Sequence, residues 1–332
     1  MLKVLSGDVG GTTTRLALFD MTAGRAELLE RRDYTSADYA SFTKILADFS
    51  THTDTDCSAA CFGVAGPVRA GRSRITNLPW TIDAHALEAG FGWPRVGLLN
   101  DLEAIAWGIG ALEEEDVCVL NAGQPDDHGH QAVIAAGTGL GQAGRIHVGQ
   151  HYQPIACEGG HADFAPGNPT EMALLAWLEA RFGHVSWERV VSGTGLVNIH
   201  AFLSKHRKAA TPGWLQEAMQ EGDAAAAITD AAQTGTDAVC REALDLFIRC
   251  YGAEAGNLAL KLMATGGVFI AGGIAPKLIG RLQQGDFLEA FCAKGRMQGL
   301  METMPVKVLR NERASLLGPA VWAAQSVKES EK

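Results

Sequence analysis

Gly7-Asp8-Val9-Gly10-Gly11-Thr12-Thr13-Thr14-Arg15 is the stretch on which the reading of this chain turns. It closes an apolar strand containing Val4 and Leu5 and opens another running from Leu16 to Phe19. A tight glycine turn between two strands therefore carries one carboxylate and three hydroxyls. Gly10 and Gly11 have no Cβ, so backbone N–H groups there can approach anionic oxygens closely. Thr12 and Thr13 add hydroxyl donors, and Asp8 is a hard oxygen ligand suited to Mg²⁺, directly or through water. The competing reading is an ordinary β-hairpin whose glycines serve only the turn. The rest of the chain decides between the two.

At 332 residues the chain exceeds the usual size of a single core, which predicts two domains with a cleft between them. Its composition, 47% hydrophobic and 20% charged, is that of a globular protein. The net charge of −10 and the absence of a Lys/Arg cluster argue against a nucleic-acid surface, which needs cations to neutralise phosphates. No apolar stretch approaches bilayer length, and the first strand is not preceded by a basic region and an apolar run, so a cytoplasmic protein without a membrane partner is expected. Seven scattered cysteines fit reduced thiols better than a disulfide framework. Cys57 and Cys61 lack a second pair with ligand spacing.

The first 110 residues alternate as a sheet with crossover helices does. Strands are expected at 2–8, 14–20, 26–33, 58–64 and 95–100, and helices at 36–50 and 83–90. A third helix starts at Asp101 and runs towards Leu112, so Asn100 and Asp101 stand where a buried strand gives way to a helix. In open α/β sheets that edge is where ligands bind. A second cycle follows the acidic run Glu113 to Asp116, with strands at 117–121 and 131–136. The latter enters Gly137-Thr138-Gly139-Leu140-Gly141, and Arg145 to Val148 reads as the next strand. Strand, glycine-threonine turn, strand thus occurs twice, which suggests a duplicated unit. Later, Asn168-Pro169-Thr170-Glu171 caps a helix ending at Phe182, a long helix spans about 236–264 with a kink expected near Gly252 or Gly256, and the strand from Gly267 ends in Gly272-Gly273. Ile274 begins the next helix, and a strand at 306–309 and a helix at 315–325 complete the chain.

Gly139-Leu140-Gly141-Gln142-Ala143-Gly144, with Asp163 downstream, matches the dinucleotide fingerprint of an NAD-dependent oxidoreductase. That fingerprint needs a helix to start inside the glycines, whereas Arg145 to Gly149 alternates like a strand. No Walker A ending is present. Glu158-Gly159-Gly160-His161 with Asp163 reads as a metal cluster, a capped turn, or a site where carboxylate and imidazole accept and donate hydrogen bonds to sugar hydroxyls. For Asn100-Asp101, a carboxylate able to take an acceptor hydroxyl's proton during phosphoryl transfer competes with a helix N-cap, and the two roles are compatible.

The ordered set Gly7 to Thr13, Asn100-Asp101, Gly137-Thr138-Gly139, Glu158 to His161 and Ile270-Ala271-Gly272-Gly273-Ile274 resembles the bacterial-type glucokinase family of the sugar kinase, actin and heat-shock ATPase superfamily, over essentially the whole chain. The resemblance implies an α/β, actin-like ATPase fold (ribonuclease H-like, duplicated), with a small domain of 1–111 plus 301–332 and a large one of 112–300. It implies ATP and Mg²⁺, with Asp8, Gly10, Gly11, Thr12, Thr13, Gly137, Thr138, Gly139, Gly272 and Gly273 on the nucleotide side and Asp8 toward the metal. Asp101 would be the base, with Asn100, Asp101, Glu158, His161 and Glu188 holding glucose. Gly66-Pro67 and Asn77-Leu78-Pro79-Trp80 also resemble family segments near the sugar. Residues 162–185 contain no cysteine, unlike the related group with a cysteine-rich zinc motif, and no helix-turn-helix precedes the first strand, unlike its repressors. The reaction implied is transfer of the ATP γ-phosphoryl to the 6-hydroxyl of glucose in a homodimer. Another hexose, a sugar-responsive repressor and the oxidoreductase stand as alternatives.

Overall fold

The computed structural model describes residues 1–22, 25–75, 77–149 and 151–330. The chain divides into two compact units, Met1–Asp116 with Tyr152–Ala156 and Asn311–Lys332, and Val117–His151 with Cys157–Arg310. Residues 301–310 therefore belong with the second unit, where Met301, Met304, Val306 and Val308 are core residues.

The first unit contains β1 (Lys3–Val9), β2 (Thr13–Asp20), β3 (Glu27–Thr35), β4 (Ala59–Val64), β5 (Val68–Arg69), β6 (Arg72–Arg74), β7 (Thr81–Asp83) and β8 (Val96–Asn100). Its main sheet has the order β3–β2–β1–β4–β8. The first three strands form an antiparallel meander, while β1, β4 and β8 run parallel. All six residues of β4 are buried, as expected of a parallel strand covered on both faces. The period-2 alternation sends Leu5, Ala60, Phe62 and Val64 to one face and Val4, Ala59 and Cys61 to the other. The first face is covered by the helix Phe42–His52 through Phe42, Ile45, Leu46 and Phe49. The second is covered by the helices Asp101–Gly108 and Arg313–Ser330, the latter contributing Leu317, Ala320 and Ala323. These two helices cross closely: a Cβ on Gly318 would stand 1.7 Å from the carbonyl oxygen of Ala104. The expected helix at 36–50 begins only at Phe42, because Ser36–Asp38 forms a separate 3-10 turn. The small β5–β6–β7 sheet was not legible, since two- and three-residue strands carry too little periodicity.

The second unit contains β9 (Val117–Asn121), β10 (Gln131–Ala136), β11 (Leu140–Val148), β13 (Gly267–Ala271) and β14 (Val306–Leu309); β12 (His151–Cys157) follows β11 in the chain, and its residues Tyr152–Ala156 fall in the first unit. Five strands run in the order β11–β10–β13–β14–β9. β10–β11 is antiparallel, β10–β13 and β13–β14 are parallel, and β14–β9 is antiparallel. The segment β11–β10–β13–β14 thus repeats the pairing of β2–β1–β4–β8: a hairpin followed by two parallel additions. The duplication suggested by the two glycine-threonine turns is present in the strand topology.

The long helix Ala238–Leu262 runs without a break. Gly252 and Gly256 serve a close packing contact. A Cβ there would stand 2.1 Å from the Phe287 carbonyl oxygen and 2.5 Å from that of Phe291, so their absence of side chain admits the neighbouring helix Asp286–Cys292. After Gly273 the chain forms a 3-10 turn, Ala275–Leu278, before the short helix Ile279–Leu282, since Pro276 has no N–H to give an α-helical bond.

Candidate active site

In the first unit, the candidate residues gather at the carboxyl ends of the parallel strands. Val9 is in register with Val64 and Val64 with Asn100, so backbone at the ends of β1 and β8 lies two strand spacings apart, roughly 10 Å. Asp8 and Asp101 each stand one residue from that line. The Asp8 side chain is 19% exposed, and its Oδ2 accepts from Arg15 Nη1 at 3.0 Å and from the Ser315 hydroxyl at 3.1 Å. Arg15 also pairs with Glu312 at 2.5 Å and Asp33 at 3.8 Å. Burial pushes the Asp8 carboxyl above its ordinary pKa, while Arg15 and the Ser315 hydroxyl pull against it. Among the described residues no hydrogen-bond partner occupies Asp8 Oδ1, so a carboxylate oxygen remains for a hard cation, and the donor chemistry fits Mg²⁺.

The turn after β1 closes by a Gly10 N–H bond to the Thr13 carbonyl at 3.0 Å, and a Cβ on Gly10 would lie 2.9 Å from that same oxygen. Ser36 braces it: its N–H donates to Thr12 O at 2.9 Å and its hydroxyl to Gly10 O at 2.8 Å. Thr12 is exposed and Gly11 and Thr13 are half-buried. At the end of β8, Asn100 rather than Asp101 is the N-cap, its Oδ1 accepting from Leu102 N at 3.0 Å. Asp101 is the first residue of the helix, where the dipole favours a carboxylate, and its Oδ1 also accepts from Leu102 N at 2.9 Å. Capping thus falls mainly to the asparagine.

In the second unit, Ala135 pairs with Ala271, which sets the Gly137-Thr138-Gly139 turn beside Gly272-Gly273 at the ends of two parallel strands. Gly272 has φ +83° and a Cβ there would lie 2.4 Å from the Ala136 carbonyl, so two features require glycine. The Gly137 turn closes through Gly137 N to Gly139 O at 2.8 Å. The helix Gly193–His206 points its N-terminus at this turn: Gly193 N donates to Gly137 O at 2.8 Å, and the Ser192 hydroxyl caps Gly195 N at 3.0 Å. Glu188 accepts from Leu140 N through Oε2 at 2.9 Å, so one of its oxygens is spoken for. The carbonyl of that same Leu140 would stand 1.9 Å from a Cβ on Gly160. Leu140 thereby joins Glu188 to the Glu158–His161 segment, and the Trp187 N to Ala162 O bond at 2.9 Å ties the two stretches again. Glu158 and His161 are 75% and 61% exposed at the side chain, with Oε2 and Nε2 4.0 Å apart. This unit therefore brings Gly137, Thr138, Gly139, Glu158, His161, Glu188, Gly272 and Gly273 into one neighbourhood. Asp163 pairs instead with His184 at 2.7 Å on the surface. Of the dinucleotide-fingerprint glycines, Gly139 precedes β11 and Gly141 and Gly144 lie in it, a strand paired to β10, so no helix N-terminus starts among them.

Behind the Glu158–His161 segment is a buried polar chain. Gln142, whose Oε1 would be 2.1 Å from a Cβ on Gly159, donates from Nε2 to Glu254 Oε1 at 2.7 Å. Asn257 donates to Glu254 Oε2 at 2.9 Å, and Lys294 donates to Asn257 Oδ1 at 2.8 Å. Glu254 is fully buried, and burial raises its pKa above the ordinary 4.5. A carboxyl raised in the folded state keeps its proton after the unfolded chain has released its own, so the stability it contributes at low pH is lost as pH rises through the folded value. Melting temperatures across pH should therefore fall less steeply above about pH 4.5 in Glu254→Gln than in the parent; parallel curves would show that this group does not govern the slope.

A glucokinase family profile matches residues 5–326. The glucokinase of Nostoc punctiforme is 41% identical over 340 residues, spanning 98% of this chain and 100% of that protein. The chain belongs to the glucokinase family. Among solved structures, a glucokinase from an Antarctic psychrotroph superposes with a TM-score of 0.87 at 31% identity, covering 98% of this chain and 99% of that one. A ROK family glucokinase from Streptomyces griseus, in complex with glucose and AMPPNP, shares the fold alone, with a TM-score of 0.64 at 20% identity over 97% and 99% of the two chains.

For a glucokinase family member, five residues beside the expected ones escaped the sequence reading. Ser192-Gly193 carried a usable signal, an N-cap serine ahead of an apolar-periodic run. Arg15 stood inside the quoted turn but its role depends on strand pairing. Ser36 and Ser315 carried none, since each reaches its partner only through tertiary folding, Ser315 across 307 residues.

Proposed function

We propose that the chain transfers the γ-phosphoryl group of ATP to the 6-hydroxyl of glucose, with Asp101 as general base. Family membership supports the reaction itself. The observation that carries the base assignment is the register Val9–Val64–Asn100, which puts two carboxylates, Asp8 and Asp101, on one strand edge. Asp101 takes the proton of the acceptor hydroxyl as the new bond forms, and Asn100, held by its cap bond, directs its amide to a neighbouring hydroxyl. Glu158, His161 and Glu188 receive and donate the remaining sugar hydrogen bonds. The backbone of Gly10–Thr13, Gly137–Gly139 and Gly272-Gly273, with the threonine hydroxyls, positions the nucleotide's phosphates. The N-terminus of the helix Gly193–His206 adds a fixed positive end beside the second turn. Asp8 would hold a Mg²⁺, directly or through water, and that ion would neutralise charge on the phosphates. The protein's contribution is orientation and charge stabilisation.

A coupled ADP-release assay across hexoses, with ATP, ADP and polyphosphate as donors, tests this. Glucose with ATP should give the highest kcat/KM; preference for another hexose or donor replaces the substrate assignment. Glu158→Gln should raise the glucose Kd about tenfold, because an acceptor of two hydroxyls becomes half donor, with ATP binding unchanged. An unaltered glucose titration removes Glu158 from the sugar contacts. The family resemblance further supports a cytoplasmic location and a homodimer, and the molar mass from sedimentation equilibrium tests the dimer; among the described residues no helix is long and apolar enough to cross a membrane.

A further inference from the structure

Away from the residues given to the kinase reaction, His200, Asp237 and Cys240 bring an imidazole nitrogen, a carboxylate oxygen and a thiol sulfur within 4.8 Å of one another. His200 is 3% exposed and Cys240 fully buried, while Asp237 is half-buried and opens the group to solvent. We propose that these three side chains form a binding site for a divalent transition metal of the zinc class, completed by a water on the Asp237 side.

The ligand types are those zinc takes in proteins, and three of them with an open fourth position match its tetrahedral preference. Atoms sharing one Zn²⁺ at its usual bond lengths sit roughly 3.3–3.8 Å apart, so a closure of about 1 Å completes the site. Charge also balances: one thiolate, one carboxylate and a neutral imidazole sum to −2, which cancels the ion and makes its burial tolerable. Binding exchanges the Cys240 thiol proton: the S–H bond breaks, the sulfur pair forms the bond to the ion, and one proton passes to solvent.

Position gives the site a consequence. Asp237 is the N-cap of the helix Ala238–Leu262, its Oδ1 accepting from Cys240 N at 2.8 Å, which orients the carboxylate before any ion arrives. His200 lies on the helix Gly193–His206, two turns from the Gly193 N–H that holds the Gly137 turn. A metal here staples the two helices together. The site is distinct from the cysteine-rich motif absent from residues 162–185.

The test is titration of the reduced, metal-free full-length protein with Co²⁺, read by the thiolate-to-cobalt charge-transfer band and the tetrahedral d–d bands, and with Zn²⁺, read by melting temperature. One Co²⁺ per chain with a charge-transfer band is expected, along with a Zn²⁺-dependent rise in melting temperature. Both should persist in Cys157→Ser, which removes the exposed cysteine. Both should be lost in Cys240→Ser, and affinity should fall at least about tenfold in Asp237→Asn, which keeps a capping side chain and guards against misreading a folding defect. No band in the parent, a band that survives Cys240→Ser, or one that disappears in Cys157→Ser overturns the proposal. Because neither readout uses glucose or ATP, its failure leaves the kinase reading untouched.

Discussion

Asp101→Ala should lower kcat at least about a hundredfold while glucose still binds with an affinity close to the parent's. On the rate scale that is about 2.7 kcal/mol of transition-state stabilisation, typical for loss of a positioned general base. The substitution is well suited to the question because it should spare the fold. Asn100, not Asp101, caps the helix, with its 3.0 Å bond to Leu102 N intact in the variant. Removing an acid from the first helical position costs only about 0.3–1 kcal/mol through the dipole, and alanine is well tolerated there. Stopped-assay turnover, isothermal glucose titration and a melting curve together separate chemistry from binding and from stability. Turnover within a few-fold of the parent removes Asp101 from the chemical step, whatever its place on the strand edge.

The second large effect is expected from Asp8→Asn. Its carboxylate stands on the edge beside the Gly10–Thr13 turn, and the variant keeps shape while halving its capacity to offer a hard anionic oxygen. We expect kcat to fall by about a hundredfold or more, of the order seen when one fixed electrostatic contributor to a transition state is removed. The Mg²⁺ concentration for half-maximal rate should rise, and glucose affinity should stay within a few-fold. Arg15 does not become an unpaired buried charge in this variant, because Glu312 at 2.5 Å and Asp33 at 3.8 Å still face it. The loss should thus be kinetic, with a modest change in melting temperature. An unchanged Mg²⁺ dependence would place the metal elsewhere and leave Asp8 as an anchor for Arg15 and Ser315.

The candidate site was legible where chemistry is written into short contiguous strings. Gly7 to Thr13, Gly137 to Gly139 and Glu158 to His161 announce themselves because a tight turn needs glycine and a ligand needs oxygen or nitrogen, both local requirements. The capped helix at Asn168-Pro169 was legible for the same reason: Asn168 Oδ1 does accept from Glu171 N, at 3.0 Å. Elements whose character depends on neighbours were misread. The reason for Gly252 and Gly256 in the long helix was not legible: the Phe287 and Phe291 carbonyls occupy the space a Cβ would take. The cap at the end of β8 also went to the residue before the one expected.

Local composition and periodicity alone were enough to establish the repeated strand–turn–strand units, the buried parallel strands such as Ala59–Val64, and the residue types available for phosphate, metal and sugar. Those follow from backbone sterics and from which side chains avoid water, properties a residue carries wherever it stands. Which carboxylate oxygen is committed to Arg15 and Ser315, that Leu140 links Glu188 to Gly160, and that His200 meets Asp237 and Cys240 were settled only by folding. Most of these join groups tens to hundreds of positions apart, and their meeting depends on strand register and helix crossing, which are set by the packing of the whole core rather than by any segment within it.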